Sequence, residues 1–175
     1  MLITTSSSTD TWAKCQALYD FRYNKLLQGK RPGKALLIGS AFHVGCESFW
    51  RGEPYGIAWA KVQDSLTNDW WLTDTGKLEM RKLASYLKGY YRRWEDDLRE
   101  WTVLGVELEW QFEDAEGFAY AGKIDVLARR PDGQLVIIDH KTSGTDETEN
   151  PGSSWWGKLQ MDTQIVLYSY WAETK

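Results

Sequence analysis

The eight residues Leu135-Val-Ile-Ile-Asp-His-Lys-Thr142 constrain this chain more than any other stretch. Four consecutive apolar residues, three of them β-branched, predict a buried strand covered on both faces. Side chains alternate along a strand, so Leu135, Ile137, Asp139 and Lys141 share one face, and Val136, Ile138 and His140 share the other. Two charges therefore close a buried strand on the same side. Taking a charge out of water is costly unless it is paired. Asp139 and Lys141 either form a structural ion pair or hold something.

The preceding Arg130-Pro-Asp-Gly-Gln134 reads as a hairpin loop, with Pro131 early and Gly133 able to take a positive φ. If Arg130 pairs with Gln134, Asp125 on the previous strand lies directly opposite Asp139, with Cβ atoms about 4.5–5.5 Å apart. Two ionised carboxylates repel at that separation, and a divalent cation between them removes the conflict. Oxygen donors of this kind favour Mg²⁺ or Mn²⁺ over zinc. A shorter loop would shift the register and undo the opposition; one aspartate would then pair with Lys141 and the other be solvated. Lys141 cannot be a ligand while charged. Beside a metal it could orient or help deprotonate a water and stabilise phosphate charge. Glu107, on the strand before, could add a ligand directly or through water, with Glu109 on the same face as its rival.

The rest of the chain supplies walls for this core. A Ser/Thr-rich start offers Ser8 or Thr9 as a helix cap, and Trp12, Cys15, Leu18 and Tyr19 recur at helical spacing to about Leu27. Residues 36–50, 57–70 and 76–98 read as further helices. In the last of these Leu83, Leu87, Tyr90, Tyr91 and Trp94 form an apolar stripe. Strands follow at 102–112 and 118–130, then the hairpin and the opening strand, then a polar loop and a helix from Lys158. The expected fold class is α+β (mixed α/β). A single domain over 1–175 is expected, mainly helical over 1–100, a three-stranded antiparallel sheet over 101–142 and a helix over 158–175.

Charge distribution adds to this. The chain carries a formal net charge of -4, yet residues 1–46 hold six Lys/Arg against two Asp. A basic first quarter on an acidic body suits a phosphate-guiding edge beside a carboxylate site, and equally an uneven surface. Two cysteines, Cys15 and Cys46, lack metal-cluster spacing and suggest no secreted disulfide scaffold, so a reducing cytoplasm is the expected setting. No apolar run approaches the roughly 20 residues that span a bilayer.

Together Gly122-Lys-Ile-Asp125, Asp139-His-Lys141, Gly39-Ser-Ala-Phe-His43 and Gln164-Ile-Val-Leu-Tyr168 resemble the PD-(D/E)XK nuclease superfamily, and within it the RecB-type exonuclease branch with its helical GxxxH and QxxxY motifs. Each motif alone is weak; four in order are specific, and the likeness covers roughly residues 8–172. The resemblance implies a restriction-endonuclease-like core: a central sheet with an antiparallel start, flanked by helices. It implies a DNA nuclease using Mg²⁺ or Mn²⁺. Asp125, Asp139, His43 and the backbone carbonyl of His140 would be ligands, Lys141 the catalytic lysine, and Glu107 an active-site glutamate. Strand alternation, independently of the resemblance, turns the His140 side chain to the opposite face, so it would pack away from the metal. Gln164 and Tyr168 would contact the DNA backbone or brace the site, with Gln160 one turn earlier. Lys25, Lys30, Arg31 and Lys34 would guide phosphates, and Trp155-Trp156 would stack on bases or plug the core.

The same resemblance implies a role at DNA ends in repair, recombination or phage DNA processing. The cell would be bacterial or phage-infected, and a recombinase, annealing protein or helicase could be a partner. Structure-specific endonuclease activity and a partner-dependent subunit are the alternatives. Many RecB-type relatives carry an iron–sulfur cluster, but no cysteine follows Cys46, so no such cluster is expected and Cys15 should be a small buried residue. The chain ends seven residues after Tyr168, as in a minimal member or a truncated one.

Overall fold

The computed structural model describes residues 3–27, 33–66, 69–143, 156–157 and 162–173. The described residues are a mixture of α-helices and a four-stranded sheet, the α+β class with a restriction-endonuclease-like arrangement. The strands are β1 (Ile3–Thr4), β2 (Thr102–Glu113), β3 (Ala119–Arg129) and β4 (Leu135–Ile138). β3 lies between β1 and β2 and also pairs with β4. Contacts group the chain into two compact units, Met1–Arg31, Leu108–Ile124 and Thr145–Lys175 in one, Pro32–Glu107 and Asp125–Gly144 in the other.

In the first unit, β1 pairs parallel with the start of β3, Ile3 opposite Ala119. This strand is too short for a periodic signal, and sequence reasoning missed it. Helix α1 (Ser6–Lys14) is capped by Thr5 and not by Ser8 or Thr9. Thr5 is the residue with a reciprocal partner three positions on: its Oγ1 accepts from Ser8 N–H at 3.2 Å while Ser8 Oγ accepts from Thr5 N–H at 3.0 Å. The expected single helix to Leu27 breaks at Cys15, whose backbone is extended, and resumes as α2 (Gln16–Tyr19) and a π-helical turn, Asp20–Asn24. Cys15 is exposed, and Trp12 is 53% exposed, so the expected apolar stripe is not a core face. The buried residues of α1 are Ser8 and Thr11. The unit's aromatic centre is Trp110 of β2, stacked on Trp171 and edge-on to Tyr168 of α6 (Thr163–Glu173). Gly122 makes room for it, since a Cβ there would lie 2.6 Å from Trp110 Cζ2.

The second unit holds α3 (Lys34–Trp50), α4 (Tyr55–Ser65), a 3₁₀ turn (Asp69–Leu72) and α5 (Asp74–Glu100). Pro54, with φ -66, starts α4 two residues earlier than periodicity suggests, and the helix ends at Ser65. Ala41, Ala58, Val62, Leu83 and Leu87 form the core that packs these helices together. α3 and α5 approach closely because of Gly45: a Cβ there would lie 2.6 Å from Leu87 Cδ1. Phe49, Trp50 and Val126 form a second core. β4 is shorter than expected and less covered, with Leu135 40% exposed, because it pairs only as an added strand at the end of β3. Among the described residues no helix is long and apolar enough to cross a membrane.

Candidate metal centre

The hairpin register decides the site. Arg130 N–H donates to the Gln134 carbonyl at 2.9 Å, and Gly133 takes φ +89, so the loop is Pro131–Gly133 as expected. Val126 pairs with Ile138 and Arg129 with Leu135, which makes Asp125 and Asp139 the next rung beyond the ladder. β4 stops at Ile138 because the chain turns there: His140 N–H leaves the ladder and donates to Asp125 Oδ2 at 2.7 Å.

Two histidines of the second unit converge on Asp125, and Asp139 beside it holds Lys141. His43 Nδ1, from α3, lies 3.5 Å from its Oδ2. His140 Nδ1 lies 3.1 Å from the same oxygen, with the ring 8% exposed. The expectation that the His140 side chain turns away is therefore corrected: strand alternation ends with β4, and beyond it the ring folds back onto Asp125. Lys141 Nζ sits 2.9 Å from Asp139 Oδ2, and the Asp139 carboxylate is largely buried while the ammonium reaches solvent. Gly39 places these elements side by side: a Cβ on it would meet Thr142 Oγ1 at 3.0 Å, and His43 follows one helical turn later.

Burial raises the Asp125 carboxyl, but the His140 side-chain and backbone N–H groups and the nearby His43 outweigh it, and its pKa falls below the ordinary carboxylate value. Asp139 goes the other way. Burial lifts it, Lys141 opposes, and the Asp125 charge adds to the rise. The two acids of one rung therefore shift in opposite directions. Ligand atoms of His43, Asp125 and His140 all lie within 4.8 Å of one another. Carboxylate and imidazole donors in this arrangement fit a divalent ion.

Glu107 sits half-buried in β2 with φ +53, a left-handed conformation rare for a residue with a side chain, and one found disproportionately at functional sites. Glu109, its rival in the sequence, is exposed.

The remaining candidates are placed differently. In the first unit Gln164 donates to the Tyr168 hydroxyl, which donates to the Lys123 carbonyl of β3. Tyr168 is 3% exposed, so direct contact of its ring with DNA is not what this geometry offers; it braces α6 on the sheet. Lys25 is paired with Asp20 at 2.7 Å and Lys34 with Glu79 at 3.6 Å, so neither is an unopposed cation. Lys30, Arg31, Trp155 and Gln160 lie outside the described residues.

Sequence reasoning missed the support behind His140. Trp50 Nε1–H donates to the Tyr90 hydroxyl at 2.6 Å, and that hydroxyl lies 2.6 Å from His140 Nε2. Burial pushes the Tyr90 phenol far above its ordinary pKa, so it keeps its proton. The partners are separated by 40 and 50 residues, and no local pattern links them.

Comparison with curated proteins finds no match. Comparison with known families matches residues 4–175 to the PD-(D/E)XK nuclease superfamily, over nearly the full length and across every element that builds the carboxylate site. The chain belongs to the PD-(D/E)XK nuclease superfamily, whose members are metal-dependent nucleases.

Proposed function

We propose that this chain is a deoxyribonuclease that hydrolyses phosphodiester bonds at DNA ends, an exonuclease of the RecB-type branch, using Mg²⁺ or Mn²⁺. The observation that carries the reading is the rung itself. Asp125 and Asp139 lie at the end of a hairpin ladder, with His43 on one and Lys141 on the other. Asp125, Asp139 and His43 would hold the ion, with the His140 carbonyl and Glu107 as further candidates. A divalent ion at such a site supplies Lewis acidity toward a phosphoryl oxygen and lowers the pKa of water.

The chain's own residues do the rest. Lys141 keeps a positive charge at the open side of the site, where phosphate charge grows in the transition state. Asp139 holds that ammonium in place. Asp125, ionised and anchored by two N–H donors, keeps its carboxylate in one orientation without reorganisation. The choice of ends over internal bonds rests on the GxxxH and QxxxY motifs, and a role in repair, recombination or phage DNA processing follows from that choice.

The test is degradation of end-labelled linear DNA with Mg²⁺ or Mn²⁺, set against a covalently closed circle of the same sequence. An exonuclease consumes the linear form and spares the circle, and EDTA stops it. Cleavage of the circle makes it an endonuclease. Inertness on single-stranded, double-stranded and nicked DNA with both metals would defeat the reading for the isolated chain and point to a subunit that needs a partner.

A further inference from the structure

The Trp50–Tyr90–His140–Asp125 chain carries direction. A tryptophan Nε1–H can only donate. The Tyr90 oxygen therefore accepts from Trp50, at 2.6 Å. The single Tyr90 O–H proton then has one acceptor among the described residues, His140 Nε2, also at 2.6 Å. An imidazole that accepts at Nε2 carries its proton on Nδ1, and Nδ1 lies 3.1 Å from Asp125 Oδ2. Each donor in the series has an acceptor. In the other neutral tautomer Nε2–H would donate to the Tyr90 oxygen and leave the Tyr90 proton with no acceptor among the described residues. That tautomer would also turn a nitrogen lone pair toward a carboxylate oxygen. An imidazolium would leave the Tyr90 proton with no acceptor among these residues.

We propose that Trp50 and Tyr90 lock His140 as its Nδ1–H tautomer, so that its imidazole orients the Asp125 carboxylate by hydrogen bonding and is not itself a metal ligand. Proximity alone would group His43, Asp125 and His140 as ligands. The hydrogen-bond direction removes His140's ring from that set, because the nitrogen nearest the site has no lone pair to give. Asp125 Oδ2 receives two donors from one residue, the backbone and ring N–H groups of His140, and Oδ1 is the oxygen His140 does not engage. Tyr90 is thus a positioning residue acting through His140. Helix α3 supplies both His43 and, two turns later on the same face, Trp50 at the head of the series. Partners of this outer kind typically change metal affinity about 10- to 100-fold when removed.

The inference deepens the metal-site reading and rests on it for its functional meaning, but its first test needs neither metal nor DNA. The chain has two histidines, so ¹⁵N spectra of histidine-labelled, EDTA-treated protein contain two rings, and His43→Gln assigns them. His140 should show a protonated Nδ1 and a bare Nε2. Tyr90→Phe should turn this into a mixture and weaken Mn²⁺ binding, measured by calorimetry, about 10- to 100-fold. With Cd²⁺ as a diamagnetic probe, the ring nitrogens of His43 should shift while His140 keeps its Nδ1 proton.

A wild-type His140 protonated at Nε2, or on both nitrogens, overturns the proposal whether or not Tyr90→Phe folds. Loss of the Nδ1 proton on adding Cd²⁺ overturns it too, and so does a folded Tyr90→Phe with unchanged tautomer and unchanged affinity. Failure of wild type to bind Mn²⁺ while the tautomer holds would sink the metal reading and not the tautomer assignment.

Discussion

Asp125 and Asp139 share a rung, but their carboxyl pKa values are moved in opposite directions. The folded pKa of Asp125 lies below its unfolded value near 3.9, so the unfolded chain binds the extra proton between the two values. Its contribution to stability is present above about pH 4 and is lost as pH falls through the folded pKa. Asp139 is raised, so the native state holds its proton more tightly, and ionising it near neutrality works against the fold. In metal-free protein at pH 7, Asp125→Asn should therefore lower the thermal midpoint, by the equivalent of about 1–3 kcal/mol. That deficit should shrink toward pH 3. Asp139→Asn should raise the midpoint at pH 7. A deficit that does not change with pH would separate the stability effect from the Asp125 charge. Activity should respond differently. Asp139→Ala and Lys141→Ala should each lose about 10²-fold or more in cleavage rate, with circular dichroism unchanged, because the first removes a metal-holding carboxylate and the anchor of Lys141, and the second removes the positive charge beside the reacting phosphate.

At the scale of elements, two close approaches and one loop place the chemistry. α3 carries His43 and packs on α5 through Gly45, where a methyl group would press on the fully buried Leu87. Gly45→Ala should cost about 1–3 kcal/mol in chemical denaturation, the usual range for overpacking. No change would mean that α3 and α5 can separate freely there. The Pro131–Gly133 loop sets which residue faces Asp125. One residue inserted after Asp132 would move Asp139 off that rung and turn the β4 side chains over. Nuclease activity should vanish while strand content by circular dichroism remains. The periodic elements were legible: the apolar stripe of α5, both long strands, and the hairpin loop with its register. The broken start was not. Cys15 interrupts a pattern that still reads as helical, and the two residues of β1 exist as a strand only because β3 offers an edge to pair with.

For the whole molecule, net charge says less than pairing does. Of the basic residues in the first quarter, Lys25 and Lys34 already face Asp20 and Glu79. Each forms an ion pair whose release to bind phosphate offsets part of the gain. DNA binding by an inactive Asp139→Ala protein, followed by fluorescence anisotropy across a salt series, should therefore respond little to Lys25→Ala or Lys34→Ala. Lys30→Ala or Arg31→Ala should each lower the salt slope by about 1 if these residues hold phosphates. Slopes that fall equally for all four would show that the ion pairs open without cost.

By itself the sequence determined the family, the sheet-and-helix class, and the opposition of Asp125 and Asp139. These rest on short-range rules: strand alternation, a loop whose turn residues fix its length, and motifs a few residues long. Only the tertiary structure decided what surrounds that rung. His140 was assigned outward by strand alternation, yet the strand ends one residue before Asp139, and beyond it the backbone no longer dictates which way a side chain faces. Tyr90 and Trp50 read as apolar stripe and helix end because helical spacing puts Tyr90 on one face with Leu83 and Leu87, and Trp50 closes a helical stretch just before Gly52. Their role depends on polar tips that meet a histidine 50 residues beyond Tyr90, and such a meeting is made by packing and carries no local signature.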